Sequence, residues 1–415
     1  MISTFKHQID QSPTASHVVA NAARILSEHG FIAYHPSSDS RPHGERGFVV
    51  RNGTVIAWRN SMRINEHGAR IIGAHTDSPG LHIKPRPDMT VLNWQQLHVE
   101  VYGGPLLNSW LDRDLGIAGH IVRRDGTTQL FATDHAVARI PQLAIHLDRE
   151  VNDKGLILNR HQHLSPVWSV DQPSTSFDAW LSELTQCDRG EIASWSAQLF
   201  DTQRGEIIGK NNEFFASSRI DNQISCWAAI DALVSVDGDT PMIIALFDHE
   251  EVGSESAVGA AGPMLEHVLE SLSLHNNGSR FDYLSLLQHS HCMSVDNAHA
   301  VHPNYVDRHE MNNAPLINHG VVVKHNANQR YATSASSLLP VVAAAEKAKV
   351  SLQTFSSRNN IACGSTIGPI AATRLGIDTV DIGVPQLSMH SIREMCGTKD
   401  PLDLVALMRS YLKRS

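Results

Sequence analysis

From Met242 to Ser254 the chain reads MIIALFDHEEVGS, an apolar strand that runs straight into Asp248, His249, Glu250 and Glu251. Neighbouring side chains on an extended segment point to opposite faces, so the two adjacent glutamates cannot both continue as solvated strand residues. At the strand's carboxyl end they can diverge around a metal-activated water, one as ligand and one as base. Two carboxylates beside Asp248 also repel one another unless a cation or a proton intervenes. The run therefore predicts a buried strand delivering hydrolytic chemistry at its end.

Four other segments have the same form. ARIIGAHTDSPG carries His75 and Asp77 after the apolar run from Ile71 to Ala74, and SSRIDNQISCWAAIDAL carries Asp221 before an amphipathic helix. HCMSVDNAHAVHPNY holds Asp296 after a short strand, and TVDIGVPQLSMHSIREM holds His390 in the loop after Thr379 to Ile382. In open α/β sheets, sites form outside the carboxyl ends of the strands. These segments can therefore converge although they span most of the chain.

Each residue has an ordinary alternative. His75 could simply hydrogen-bond Asp77, Asp before a helix is a favoured cap, Asp296 and Asn297 could be turn residues, and His390 could be a loop histidine beside Arg393 and Glu394. The combination is more specific than any member. A metal-bound histidine usually passes its second ring proton to a carboxylate, which gives His75 and Asp77 a joint role. His75, Asp221, Glu251, Asp296 and His390 are too many ligands for one tetrahedral catalytic zinc, which takes three plus water. Two divalent ions sharing a bridging carboxylate account for them. H-E-x-x-H, the helix-borne single-zinc pattern, does not occur.

At 415 residues the chain exceeds the size at which one core keeps growing, so two domains are expected. Its net charge of −9, with no clustered Lys/Arg stretch, argues against nucleic acid as a partner. No apolar run approaches the ~20 residues needed to cross a bilayer, and the N-terminus lacks a secretory pattern; the expected location is cytoplasmic. Five scattered cysteines without C-x-x-C spacing argue against a disulfide framework or a zinc-cysteine cluster. Most of the 25 histidines, His98, His120, His161, His163, His267 and His275 among them, sit in polar or alternating contexts that suit surface or hydrogen-bonded roles.

Along the chain, Thr14 to His29 has helical periodicity and Gly47 to Trp58 reads as a hairpin about Asn52-Gly53, a dipeptide favoured in type I′ turns. Residues 91 to 147 alternate with period two and carry a second hairpin signal at Asp125-Gly126. The stretch from 150 to 205 is polar and reads as loop with some helix. From Asn212 onward strands and helices alternate, with helix Asn222 to Val236, strand Met242 to Phe247, helix Pro263 to Leu272, strand Gly320 to His325, helix Ser336 to Lys349, strand Leu352 to Phe355, helix Gly368 to Leu375, strand Thr379 to Ile382 and helix Leu402 to Leu412. The expected fold is α/β, a mixed central sheet covered by helices, zinc-peptidase-like, formed by 1–89 and 206–415, with an inserted β-rich domain over 90–205.

The blocks GAHTDSPG, NSWLDRDLGIAG, IPQLAIHL, SSRIDN, FDHEEVGS, SVDNAHAVHPNY, NQRYAT, CGSTIGPIAATRLG and GVPQLSMHSIREM, in order from about residue 15 to the C-terminus, resemble the motif series of the aspartyl aminopeptidases, dinuclear zinc metallopeptidases also called tetrahedral aminopeptidases. The resemblance implies two zinc ions, with cobalt or manganese as alternatives. His75, Asp221 and Asp296 would hold one, and Asp221, Glu251 and His390 the other, with Asp221 bridging. It makes Glu250 the general base and Asp77 the residue that orients His75. It places Lys324, Tyr331 and His299 around the substrate, with Lys324 meeting an acidic side chain, and brings His146 to a neighbouring subunit's site. The β-rich insertion would be a dimerisation domain, with dimers assembling into a homododecamer. The substrates implied are peptides with a free N-terminal Asp or Glu.

One departure stands out. Where relatives often read Arg-Asn-Asp before the Cys-Gly block, this chain has Arg358-Asn359-Asn360 followed by Ile361 and Ala362, which removes a carboxylate near the substrate-facing region. The alternative is a glutamyl or broad-specificity tetrahedral aminopeptidase. A dinuclear deacylase or carboxypeptidase is disfavoured by the long interval between His75 and Asp221, and a non-catalytic scaffold by the presence of Glu250.

Overall fold

Every residue of the strand Met242–Phe247 is buried, and its side chains divide by parity: Met242, Ile244 and Leu246 enter one apolar cluster, Ile243, Ala245 and Phe247 another. The strand Arg70–His75 repeats the split, with Ile72 and Ala74 in the first cluster and Ile71 in the second. A sheet buried on both faces needs helices above and below it. The computed structural model, which describes residues 2–34, 42–170 and 175–413, supplies both layers. Helices Ala15–Glu28, Ile220–Ser235, Ala335–Ala348 and Asp400–Leu412 contribute to the first cluster, and Met264–His275, Arg280–His289 and Ile367–Leu375 to the second.

The sheet runs Ile32–Tyr34, Arg46–Arg51, Thr54–Arg59, Met242–Phe247, Arg70–His75, His291–Val295, Asp378–Gly383, Val321–His325, Leu352–Ser356. Its centre is parallel: Met242–Phe247 and His291–Val295 flank Arg70–His75, and Asp378–Gly383 follows His291–Val295. Antiparallel pairing of Thr54–Arg59 and of Val321–His325 makes it mixed, as expected. Because Phe247 pairs with His75 and Val295 with Ile382, the carboxyl ends of the central strands share one edge of the sheet. A small second sheet joins Glu206–Ile208, Phe214–Ser217, Glu394–Gly397, Pro385–Leu387 and Ala298–His299.

The chain divides into two compact units, one of Met1–Asp77, Glu206–Met389 and Glu394–Ser415, the other of Ser78–Gly205 with His390–Arg393. The second is built on an antiparallel sheet ordered Thr128–Ala132, Leu115–Arg123, Ile192–Asp201, Gly80–Val91, Trp94–Tyr102, Val167–Val170, with its own core around Leu81, Leu97, Ile117, Phe177 and Leu199. Its start at Ser78 differs from the expected 90, because Gly80–Val91 is one strand pairing with Trp94–Tyr102 and cannot be cut. The expectation of loop with some helix over 150–205 misses Ile192–Asp201, a strand inside this sheet; residues 171–174 of that stretch lie outside the described ones. The helices Ile2–Asp10 and Arg280–His289 were also not expected. Among the described residues no helix is long and apolar enough to cross a membrane.

The hairpin Arg46–Arg51/Thr54–Arg59 turns at Asn52 and Gly53 as expected, with Asn52 at φ 51°. Space fixes Gly53: a Cβ there would lie 2.3 Å from Asp248 Oδ2. The turn is thus packed against the residue that ends the Met242–Phe247 strand.

One buried histidine makes the fold sensitive to acid. His291 is 7% exposed, with Nε2 2.7 Å from the Ser337 carbonyl and Nδ1 2.7 Å from the Tyr411 hydroxyl. The neutral ring donates at Nε2 to that carbonyl, and burial lowers its pKa from 6.5 to about 4. A depressed histidine pKa gives stability that is present above the unfolded value and lost as pH falls through the folded one. At about 1.4 kcal/mol per pH unit the effect is worth about 3 kcal/mol between pH 7 and 4. His291→Gln should lower the urea midpoint at pH 7 and flatten its decline toward pH 4, both measured with chelator present. A decline as steep as in wild type would show that other groups govern it.

Candidate metal centre

His75 closes the strand Arg70–His75 and is 1% exposed. Its Nδ1 lies 3.1 Å from the Asp77 carbonyl oxygen and 3.3 Å from Asp77 Oδ1, while Nε2 faces Asp221 Oδ1 at 3.4 Å, Asp296 Oδ1 at 3.6 Å and Glu250 Oε2 at 3.9 Å. The ring thus has an orienting side and a cluster side, the division found at metal-bound histidines. His75, Asp221 and Asp296 each present a ligand atom within 4.8 Å of the others, and so do His75, Glu250 and Glu251.

Backbone geometry explains how the ligands arrive. After Phe247 the chain turns at His249, which takes a left-handed φ of 64°, and Glu250–Val252 forms a single 3-10 turn. The glutamates therefore leave the extended conformation altogether, one residue pair beyond the strand end. Their amides converge on Asp77: Glu250 N–H donates to Oδ1 at 3.2 Å and Glu251 N–H to Oδ2 at 3.1 Å. Asp77 thereby fixes His75 and both glutamates together. Asp221 stands at a kink in the first turn of Ile220–Ser235: its backbone and that of Asn222 are non-helical, the peptide between them is cis, Arg219 before it takes φ 58°, and Asp221 is 2% exposed. Its amide donates to Glu394 Oε2 at 2.9 Å. Glu394, buried at 2%, lies in the SMHSIREM block, where no local sequence signal marks it as the partner of a residue near 221.

The charges are strongly perturbed. Burial pushes Glu250 up to about 8, opposed by His75 and reinforced by Asp296, Asp221 and Asp77. Burial and Asp221 push Glu251 well above the carboxylate range. Burial alone would lower His75, but bonds to Asp221, Asp296 and Asp77 raise it well above 6.5. Burial would raise Asp296, yet Lys324 and His75 hold it well below the usual range. Carboxylates crowd around one imidazole with more negative charge than a buried site tolerates alone. Oxygen and imidazole donors in this number fit divalent cations. The neighbouring thiol is not one of the donors: Cys226 gives its S–H to the His75 carbonyl at 2.9 Å, and burial pushes its pKa to about 12.

A cavity of about 440 Å³ lies in the same unit, lined among others by His299, Tyr331, Arg308, Arg358, Phe355 and Met389. Ile361, Ala362 and Cys363 also line it, whereas Asn360 is exposed and not among the lining residues. Lys324 is not among the lining residues. It is 2% exposed, and its ammonium donates to Asp296 Oδ2 at 3.2 Å and to the Asn297 carbonyl at 3.0 Å. His390 belongs to the short stretch that clusters with the second unit, where its Nδ1 lies 3.1 Å from the Gly104 carbonyl. His146 is exposed on an irregular segment of that unit between Ile145 and Leu147, which are 45% and 74% exposed.

Residues 8–412 match the model of the family described as Aminopeptidase I zinc metalloprotease (M18). A probable M18 family aminopeptidase 2 of Streptomyces coelicolor is 44% identical over 415 residues, covering 98% of this chain and 96% of that one. A chain from the cryo-EM structure of the Ape4 and Nbr1 complex superposes with a TM-score of 0.93 at 34% identity, covering 99% of this chain and 85% of that chain. The S. cerevisiae mApe1 dodecamer gives 0.84 at 28% identity, with 99% and 96% covered. With a full-length match of this kind and a cluster of buried and half-buried His, Asp and Glu donors at the carboxyl edge of its sheet, the chain belongs to the M18 family of zinc metalloproteases and is an aminopeptidase.

Proposed function

We propose that the chain is a dinuclear zinc aminopeptidase that removes N-terminal Asp and Glu from peptides, and that it works in the cytoplasm as a homo-oligomer. The observation that carries this reading is the cluster of Asp221, Glu250, Glu251 and Asp296 around the buried His75. His75, Asp221 and Asp296 would hold one ion, and Asp221, Glu251 and, by family likeness, His390 would hold the other. Bound ions of this kind polarise a carbonyl and lower the pKa of water. Cobalt or manganese would suit the same oxygen and imidazole donors.

The chain's own residues divide the remaining work. Glu250 takes a proton from the attacking water and returns it to the leaving amine nitrogen. Asp77 keeps His75 in one orientation and fixes the turn that carries both glutamates. His299 and Tyr331 border the substrate's first residue, and Arg308 and Arg358, against the single carboxylate of Glu310 in the same lining, offer positive charge to an acidic side chain. The apolar Phe355, Ile361 and Met389 in the same lining favour a second reading, a glutamyl or broad-specificity enzyme. Comparing kcat/KM for Asp, Glu, Leu and Lys chromogenic substrates with zinc, manganese or cobalt decides between them. A preference for Leu over Asp would reject the acidic reading.

The second unit is proposed to be the dimerisation domain, with dimers assembling into a dodecamer and His146 reaching a neighbouring active site. Leu143, Ile145, Leu147 and Ile157, 45% to 85% exposed, form the kind of apolar surface that marks an interface. The dodecameric mApe1 neighbour supports the same assembly. All five cysteines are free thiols, which suits a reducing compartment.

Three outcomes are expected. Glu250→Gln should lower kcat by about 10²–10⁴-fold, the usual contribution of a general base, with metal content by elemental analysis unchanged; loss of metal would make Glu250 a ligand. Asp77→Ala should weaken zinc binding about 10–100-fold in a chelator competition, and wild-type affinity would remove Asp77 from its orienting role. Light scattering should give a mass several times that of one chain, falling when Leu143, Ile145 and Leu147 are changed to Ser. A monomeric wild type would exclude the proposed assembly.

A further inference from the structure

The Asp221 N–H is one of the amides at a helix start that the helix itself cannot satisfy, and such amides are ordinarily taken by a neighbouring Ser, Thr, Asp or Asn. Ile220–Ser235 begins without a side-chain cap. The acceptor comes instead from 173 residues further along the chain, as Glu394 Oε2 at 2.9 Å. Glu394 is 2% exposed, and a buried carboxylate costs more than the neutral acceptor that a cap requires. Its position therefore calls for a task beyond capping. The small second sheet sets that position: Glu394–Gly397 runs antiparallel to Phe214–Ser217, with Glu394 opposite Ser217, just before the segment that carries Asp221.

The other oxygen of Glu394 continues the connection. Gln386 Nε2 donates to Glu394 Oε1 at 3.3 Å, and Asn297 Nδ2 donates to Gln386 Oε1 at 2.8 Å. All three side chains are buried, and Asn297 directly follows Asp296. A second link closes the path from the other side, because Asn222, the residue after Asp221, donates from Nδ2 to the Val295 carbonyl at 2.7 Å. Asp221 and Asp296 come from distant parts of the chain and face the same nitrogen of His75. Behind them, these bonds form a closed ring. Strand pairing keeps the ring in register, with Gln386 opposite Cys396 on one side and His299 on the other. We propose that Glu394 is a positioning residue of the metal centre, which fixes the backbone at Asp221 and, through Gln386 and Asn297, the spacing between Asp221 and Asp296. This rests on the reading of those two aspartates as metal ligands. Glu394 contributes no ligand atom of its own and acts only through the residues it holds.

Zinc affinity of the full-length chain, measured by competition with a chromogenic chelator, should weaken about 10–100-fold in Glu394→Leu, the range found when a group bonded to a ligand is removed. Glu394→Gln keeps an oxygen for the Asp221 N–H and should recover part of that loss. The d–d absorption of the cobalt-loaded chain should change in Glu394→Leu and change less in Glu394→Gln. That absorption reports the arrangement of ligands, so a loss of fold stability alone would not move it. Gln386→Leu cuts the ring at its next bond and should weaken zinc by a smaller factor; it serves as the test variant if Glu394→Leu fails to fold by circular dichroism. Wild-type zinc affinity and an unaltered cobalt spectrum in folded Glu394→Leu, or in Gln386→Leu in its place, would overturn the proposal. Zinc binding as weak in Glu394→Gln as in Glu394→Leu would overturn it too, by showing that the charge matters and the acceptor does not. If Asp221→Ala kept wild-type zinc affinity, the assignment of Asp221 as ligand would fail instead, and this inference with it.

Discussion

Mutual repulsion among buried and half-buried carboxylates is the constraint around which the catalytic unit is organised. Asp77, Asp221, Glu250, Glu251 and Asp296 surround His75, with Lys324 on one flank. An ion removed from water costs several kcal/mol unless partners compensate, so these side chains oppose folding until protons or cations balance them. The raised pKa values of Glu250 and Glu251 express that cost. The rest of the unit supplies what offsets it: a sheet buried on both faces, whose strands fill two apolar clusters with alternate residues. Metal binding and folding are linked here, because ligands that must be deprotonated to bind are the groups that repel most without an ion.

The carboxylates could be brought together only by bending the chain sharply where it leaves regular structure. Arg219 and His249 take φ values of 58° and 64°, each one or two residues before a proposed ligand or base. Left-handed backbone costs a residue other than glycine about 1–3 kcal/mol and persists where surrounding structure determines it. At His249 that structure is visible: its amide donates to Asp248 Oδ1, and the Glu250 and Glu251 amides that follow are taken by Asp77. Asp248 in turn sits against Gly53 of the first hairpin, close enough to exclude any side chain there. A turn near residue 52 thus helps set the position of a residue near 250.

Much of this was legible in the sequence because apolar period and punctuation are local signals. MIIALF gave its strand to the residue, Asn52-Gly53 its hairpin, and GAHTD its ligand pair. The strand Ile192–Asp201 was harder, since IASWSAQLFD alternates apolar with Ser and Gln inside a polar stretch, and its place in the sheet is set by long-range pairing with Leu115–Arg123. The domain boundary failed for a related reason: Pro85 and Pro87 suggest a break, yet both lie within the strand Gly80–Val91, where the register with its partner shifts between Ile83 and Asp88. Proline is tolerated at such an irregularity. The orientation of Lys324 was not legible at all. A lysine on a strand reads as solvent- or ligand-facing, and only tertiary packing puts two carboxylates and a carbonyl around it.

The charge that an incoming peptide meets is set by the cavity wall and not by the molecule's overall field. A chain with a net charge of −9 does not attract an acidic peptide through its overall field, and that field is screened beyond about 8 Å at physiological salt. Charges at contact distance then matter most, and those in the lining are Arg308, Arg358 and Glu310, beside His299, His302 and His309. Arg358 is already oriented, since its guanidinium donates to the Asp307 carbonyl. Phe355, Ile361 and Met389 give the same cavity an apolar side, so its lining offers contacts to uncharged as well as charged side chains.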